Sequence, residues 1–124
     1  FSQSLTTDQI AVTEEDHETF KQLEALMLNK KPYLDPNINI TRIARQLTIP
    51  ARAVSNSVNR VGNQNFSQFV NQFRVQEACY LLKSTDMPVT EIMFAAGFQT
   101  KSTFNREFLS VTGQSPSLYR KEAT

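Results

Sequence analysis

The sequence is poor in the residues from which most enzyme sites are built. Its 124 residues include one cysteine, Cys79, and one histidine, His17. A single cysteine excludes an internal disulfide and a cysteine-rich zinc site, and a single histidine leaves little for a metal site or a catalytic triad. Its three glycines are scattered, so no glycine-rich loop could hold a phosphate. These absences predict a protein that is not an enzyme and that holds no metal or cofactor.

Long apolar runs are also missing. No run approaches the roughly 20 residues that a membrane-spanning helix needs, and the N-terminus has no signal-peptide pattern. We therefore expect this domain in the cytoplasm, while a membrane tether elsewhere in the full-length protein stays open. Because the first residue is Phe and not Met, we expect the chain to belong to a longer polypeptide.

Charge is divided unevenly along the chain. Residues 1–35 hold seven acidic residues and three lysines, a balance of −4, whereas residues 36–124 hold ten basic and five acidic residues, a balance of +5. An acidic leader followed by a basic body is the pattern expected of a protein that binds a polyanion. The surplus is small, so it indicates a nucleic-acid partner only together with other signals.

The spacing of apolar residues predicts an all-α domain with about seven helices and no strand. Asn65 and Gln68 have the spacing of a capping box at the start of the longest helix. Residues 1–13 are predicted to be a linker and residues 14–124 to form one domain. The predicted helices cover residues 14–29, 40–47, 51–61, 66–83, 89–96, 101–111 and 116–122.

Two stretches of the chain repeat one another. ITRIARQLTIPARAVSNSV (residues 40–58) aligns with VTEIMFAAGFQTKSTFNREF (residues 89–108), which has one extra residue after the turn. Each copy predicts a short helix, a tight turn and a second helix with apolar residues one turn apart. This is the pattern of a helix-turn-helix motif, whose second helix can lie in the major groove of DNA. The two predicted motifs cover residues 40–61 and 89–111.

The second copy shows how such a motif would be built. Gly97 permits the turn, and Phe98, Phe104 and Phe108 hold the second helix down, which leaves its polar face exposed. The helix between the motifs has about 18 residues and is therefore about 27 Å long. Successive major-groove faces recur about every 34 Å on one side of B-DNA. We therefore expect one chain to reach two successive grooves.

Residues 38–121 resemble the AraC/XylS family of bacterial transcription regulators. The most specific part is GFQTKSTFNREFLSVTGQSPSLYR (residues 97–120), with its Gly-Phe pair, spaced aromatics and Ser-Pro-x-x-Tyr-Arg ending. Arg74, Ala78 and the pair Leu81-Leu82 also match the family pattern. The chain departs from that pattern at Thr48, Met93, Phe94 and Leu109.

This resemblance implies a seven-helix domain that binds double-stranded DNA through the helices at 51–61 and 101–111. It also implies a missing N-terminal region that senses an effector or drives dimerisation. RNA polymerase is a further candidate partner. The alternative function is a helical protein-interaction module whose polar faces bind an acidic partner protein. A separate alternative is that these polar residues simply form a solvated face.

Positions that match the family pattern imply two sets of DNA contacts. Arginine can bind guanine, and asparagine adenine, through two hydrogen bonds each. The candidate base readers are Arg52, Ser55 and Asn56 in the first motif and Lys101, Ser102, Asn105 and Arg106 in the second. The candidate phosphate contacts are Arg60, Asn65, Ser67 and Thr100. Thr100 is also predicted to cap its helix.

Four further residues have predicted roles. Arg74 either joins the two motifs through an ion pair or reaches a phosphate. Tyr119 and Arg120 are expected to hold the last helix against the second motif, and Cys79 is expected to be a small buried hydrophobe.

Overall fold

The computed structural model describes residues 11–123, so residues 1–10 of the predicted linker lie outside the described residues. Within this range the chain forms seven α-helices, one short 3-10 turn and no strand, which confirms the all-α prediction. Each predicted helix boundary lies within one residue of the boundary in the structure. The helices are α1 (Glu14–Lys30), α2 (Ile40–Leu47), α3 (Ala51–Gly62), α4 (Phe66–Ser84), α5 (Val89–Ala95), α6 (Lys101–Thr112) and α7 (Pro116–Ala123), and the 3-10 turn is Pro32–Leu34.

Polar side chains fix where several helices begin. Asn39 accepts a hydrogen bond from the backbone N–H of Arg42 at 2.9 Å and so caps α2. At the start of α4, Asn65 and Gln68 each accept a hydrogen bond from the other's backbone N–H, at 2.8 and 2.9 Å. This reciprocal pair confirms the predicted capping box.

Thr48 ends α2 in an unusual backbone conformation. Its φ is 57°, in the left-handed region that glycine adopts readily and that a β-branched residue rarely adopts. The structure thus shows the glycine-type turn in the first motif without glycine, at the position where the sequence departs from the family pattern. The backbone N–H of Thr48 still reaches the carbonyls of Ala44 and Arg45, which closes the helix end.

The described helices belong to two compact units. Of the described residues, the first unit contains residues 11–31 and Ile38–Phe69, and the second contains Pro32–Asn37 and residues 70–123. The first unit therefore includes the helix-turn-helix motif α2–α3, and the second includes the motif α5–α6. The long helix α4 joins the two motifs in the chain. The division has a physical cause, since each motif closes over an apolar core of its own.

In the first unit, α1 and α2 pack against α3. The inner face of α3 carries Val54 and Val58, and neither side chain is exposed at all. Leu23 and Met27 from α1 are equally buried, one helical turn apart. Burial of this apolar stripe positions α3 and leaves its opposite face outside the core.

In the second unit, an aromatic ladder holds α6 in place. Phe98 and Phe104 have ring centroids 5.2 Å apart, and Phe104 and Phe108 are 5.7 Å apart in an edge-to-face arrangement. All three are at most 2% exposed, which confirms their predicted role. The same core includes Ile92 of α5 and Val75 of α4.

Candidate nucleic-acid interface

The first set of predicted base readers lies on α3, away from the core residues of that helix. Arg52 is exposed, and Ser55 and Asn56 are half-buried. Arg52 and Asn56 are four residues apart and therefore share one helix face, nearly opposite to Val54. The structure thus brings two of the three predicted readers together on one face of α3.

The second set of predicted base readers lies on α6. Lys101, Ser102, Asn105 and Arg106 are all exposed, because Phe104 and Phe108 take the inner face of the helix. The Arg106 side chain is 64% exposed, and its Nε lies 3.4 Å from Oε2 of Glu107. An exposed ion pair of this kind contributes little to stability. The guanidinium can therefore move to another acceptor at small cost.

Thr100 caps α6, as the sequence predicted. Its hydroxyl oxygen accepts a hydrogen bond from the backbone N–H of Thr103 at 3.2 Å. The cap occupies one of the first-turn N–H groups, and the remaining ones have no acceptor within the helix. A helix end of this kind attracts an anion. The phosphate contact of Thr100 stays a prediction.

The other predicted phosphate contacts are placed differently. Asn65 and Ser67 are exposed at the start of α4, with the Asn65 side chain engaged in the capping box. Arg60 has only 16% of its side chain exposed and lies 3.2 Å from the carboxylate of Asp16, whose side chain is 7% exposed. The sequence did not predict this ion pair, and a phosphate would have to compete with Asp16 for Arg60.

Asp16 is a buried carboxylate with several partners. Burial acts to raise its pKa, but hydrogen bonds from Thr13 and the Arg60 guanidinium outweigh burial and hold the pKa below its usual value. Asp16 is therefore charged at neutral pH. Its negative charge neutralises the positive charge of Arg60, with which it is paired inside the first unit.

A cleft lies between the acidic start of α1 and the face of α3 that carries the predicted readers Arg52 and Asn56. It has a volume of 240 Å³. In the sequence, the excess of acidic residues (residues 1–35) and the excess of basic residues (residues 36–124) lie in separate parts of the chain. In the first unit they meet, because α1 packs directly on α3. The cleft is lined by Glu15, Asp16, Thr19, Pro50, Arg52, Ala53, Asn56 and Arg60.

The hydrogen bonds of Arg74 lie within the second unit, and both of its predicted roles, the ion pair between the motifs and the phosphate contact, stay predictions. Its Nε donates to the carbonyl oxygen of Tyr33 at 2.8 Å, and Nη2 donates to the carbonyl oxygen of Asp35 at 3.1 Å. Nη1 donates to Asn71 at 3.2 Å. Arg74 therefore holds the segment that contains the 3-10 turn within the second unit.

Tyr119 holds α7 against the second motif, as predicted, whereas Arg120 contacts the end of α4 and not the second motif. Tyr119 meets Phe108 edge to face, with ring centroids 5.5 Å apart. Arg120 donates from Nε to the carbonyl oxygen of Leu82 at 3.2 Å and from Nη2 to that of Thr85 at 3.1 Å. These carbonyls lie at the C-terminal end of α4, where a positive charge is favourable. Cys79 is half-buried, and burial raises the pKa of its thiol.

Membrane-spanning and metal-binding features are both absent from the described residues. Among residues 11–123, no helix is both long and apolar enough to cross a membrane. In the same part of the chain, no three His, Cys, Asp or Glu side chains lie close enough together to hold a metal ion.

Comparison with known proteins gives consistent matches. Residues 43–122 match the family described as "Helix-turn-helix domain". The chain is 30% identical over 109 residues to the uncharacterized HTH-type transcriptional regulator YijO of Escherichia coli K12, covering 85% of this chain and 38% of that protein. It is 35% identical over 88 residues to the transcriptional activator NphR of a Rhodococcus species, covering 71% of this chain and 26% of that protein. The chain thus spans well under half the length of these relatives.

A solved structure shows the same fold. A transcriptional regulator from Chromobacterium violaceum, described among AraC-type DNA-binding domain-containing proteins, superposes with a TM-score of 0.76 at 16% identity. The match covers 90% of this chain and 97% of that one.

Proposed function

The chain belongs to the helix-turn-helix family of AraC/XylS-type bacterial transcription regulators, and on this premise we propose that it reads double-stranded DNA in two successive major grooves. One observation carries the proposal. Each compact unit contains a helix-turn-helix motif whose second helix buries an apolar face and presents a polar, cationic one. That is the arrangement from which a recognition helix contacts base edges.

In this proposal α3 and α6 are the recognition helices. The predicted base readers are Arg52, Ser55 and Asn56 on α3, and Lys101, Ser102, Asn105 and Arg106 on α6. Arginine side chains favour guanine and asparagine side chains favour adenine. The 19-residue helix α4 is about 28 Å long, which is compatible with two reading helices one turn of DNA apart.

Phosphate contacts supply the remaining binding energy. The proposed groups are Thr100 with the start of α6, and Asn65 and Ser67 at the start of α4. Arg60, the fourth candidate, is already paired with Asp16, so the other three residues carry the phosphate contacts in this proposal. Helix N-termini attract phosphate through their unpaired N–H groups and the helix dipole. Neutralising phosphates releases counterions, so affinity should fall as salt rises.

The whole protein would then act by binding and not by catalysis. We propose a cytoplasmic domain whose partners are DNA and RNA polymerase. A further region for effector sensing or dimerisation is proposed from the length of the relatives, of which this chain matches 38% and 26%.

Binding measured at several salt concentrations tests the proposal. We expect a site selected from random DNA duplexes to bind much more tightly than a scrambled duplex, with log affinity falling linearly against log salt for both. Polyglutamate of matched charge serves as the acidic control. Equal binding to polyglutamate and to both duplexes would favour the alternative, a module for an acidic protein partner.

A further inference from the structure

One carboxylate oxygen connects the start of α1 to the first recognition helix. Oδ2 of Asp16 accepts a hydrogen bond from the backbone N–H of Thr13 at 3.0 Å and another from Nη1 of Arg60 at 3.2 Å. The Thr13 hydroxyl accepts in return from the backbone N–H of Asp16 at 3.0 Å, which completes a capping box. Asp16 therefore lies in the first turn of α1 and also contacts α3 through Arg60.

We propose that Asp16 is a positioning residue for DNA reading, which fixes the orientation of α3 through Arg60. The inference rests on the proposed function. In this role Asp16 and Arg60 do not contact DNA directly. The capped start of α1 then helps to orient the recognition helix α3.

Helix geometry links Arg60 to the two readers. Arg52, Asn56 and Arg60 are spaced by four residues, so they lie on one face of α3 and line the same cleft as Asp16. A restraint on Arg60 limits the rotation of α3 about its own axis. It therefore limits the directions in which Arg52 and Asn56 can point.

Burial makes this restraint effective. Asp16 is 5% exposed as a whole residue, so salt and water screen its pairing with Arg60 far less than they screen a surface pair. The Nε of Arg60 is buried without a hydrogen-bond partner. The bond from Nη1 to Asp16 therefore pairs a guanidinium that is largely removed from solvent.

The same geometry couples α3 to the chain that enters α1. Thr13 is the N-cap of α1, and its hydroxyl holds the backbone of Asp16. A change in the backbone at Thr13 would move the carboxylate that holds Arg60. The first recognition helix is thus sensitive to the backbone at the start of α1, through Asp16, which lies 44 residues before Arg60.

The test compares Asp16→Asn and Arg60→Gln with Glu14→Gln, which removes an exposed acidic charge from the same helical turn. Each variant is titrated with the selected duplex and with duplexes in which one half-site is scrambled. The half-site read by α3 is identified as the one whose preference is lost in Arg52→Ala. All measurements are made well below the melting temperature of each variant.

We expect Asp16→Asn and Arg60→Gln each to weaken binding about tenfold and to relax preference only in the half-site read by α3. The double variant should be no weaker than either single one, since both remove the same interaction. The salt dependence should keep its wild-type slope, because no phosphate contact is lost. Glu14→Gln should keep the wild-type half-site preference.

Two results would overturn the inference while leaving the proposed function intact. Arg60→Gln could lower the salt slope by about one charge with Asp16→Asn binding normally, which would make Arg60 a phosphate contact. Alternatively, both variants could melt earlier and yet keep full half-site preference, which would make the pair merely structural. Absence of DNA binding by the wild-type chain would instead contradict the proposed function, and with it the inference.

A second pair of variants guards against loss of folding. If Asp16→Asn is unfolded, Thr13→Ala removes only the hydroxyl half of the capping box, and Thr13→Ser retains it. We expect Thr13→Ala to relax preference in the same half-site and Thr13→Ser to restore it. Equal preference in both variants would count against the coupling.

Discussion

The carbonyl oxygen of Tyr33 lies so close to Gly97 that no side chain fits between them. A Cβ atom at Gly97 would approach this oxygen to 2.4 Å and would lie 2.9 Å from Nε of Arg74. Gly97 also has a φ of +102°, in the region that favours glycine. The turn of the second motif, the 3-10 turn and Arg74 therefore form one tight arrangement within the second unit.

Gly97→Ala should destabilise the protein by about 3 kcal/mol, because backbone strain and a clash with a backbone oxygen act together. Urea unfolding monitored by circular dichroism measures the change. Gly113→Ala is the matched control, since Gly113 also has positive φ, +78°, but a Cβ atom there would meet no other atom within 4 Å. It should cost only about 1 kcal/mol. Equal losses in the two variants would show that the contact with Tyr33 contributes nothing.

Arg120→Ala should lower the free energy of unfolding by about 2 kcal/mol, because it removes charged hydrogen bonds to two carbonyls at the end of α4. Arg120→Lys keeps the charge but has no planar fork with which to reach both oxygens. It should therefore recover less than half of the loss in the same urea experiment. Full recovery by lysine would mean that charge alone, and not the paired contact, holds α7.

Asp16 should make the stability depend on pH in a defined direction. Its pKa is lower in the folded protein than the usual aspartate value, near 3.9 in an unfolded chain. Its contribution is therefore fully present above the unfolded pKa and is lost as pH falls through the folded pKa. Asp16→Asn should cost about 2 kcal/mol at pH 7, the scale of a hydrogen bond to a charged group, and this difference should shrink as the pH is lowered below about 4. A difference that stays constant down to about pH 2 would contradict this account.

Local chemistry made the helices predictable. The capping box of Asn65 and Gln68, and the cap at Thr100, involve residues three positions apart, so their spacing is visible in the sequence. The burial of Phe104 and Phe108 follows from one turn of helical periodicity. The faces of α3 and α6 that carry the candidate readers could therefore be predicted as well.

Contacts between distant parts of the chain were not predictable. Asp16 and Arg60 are 44 residues apart, and Arg74 and Tyr33 are 41 apart. The acceptor in the second contact is a backbone carbonyl, which every residue possesses and no sequence pattern marks. Arg60 and Arg74 are ordinary basic residues in the sequence, and only the packing of α1 on α3 and of the 3-10 turn near α4 supplies their partners.

Arg52→Ala and Arg106→Ala should each weaken binding to the selected site by about 1–3 kcal/mol, because each removes a candidate contact with a base edge. Each should relax preference in a different half of the site. Competition binding with duplexes that carry single base changes measures this. A uniform loss for all sequences would reassign that arginine to phosphate contact.

The central claim is that one chain places two reading helices in successive major grooves. Hydroxyl-radical footprinting of the chain on its selected duplex tests this claim most directly. We expect two protected regions about one helical turn apart, on one face of the DNA. A single protected region, or two regions on opposite faces of the duplex, would contradict the claim.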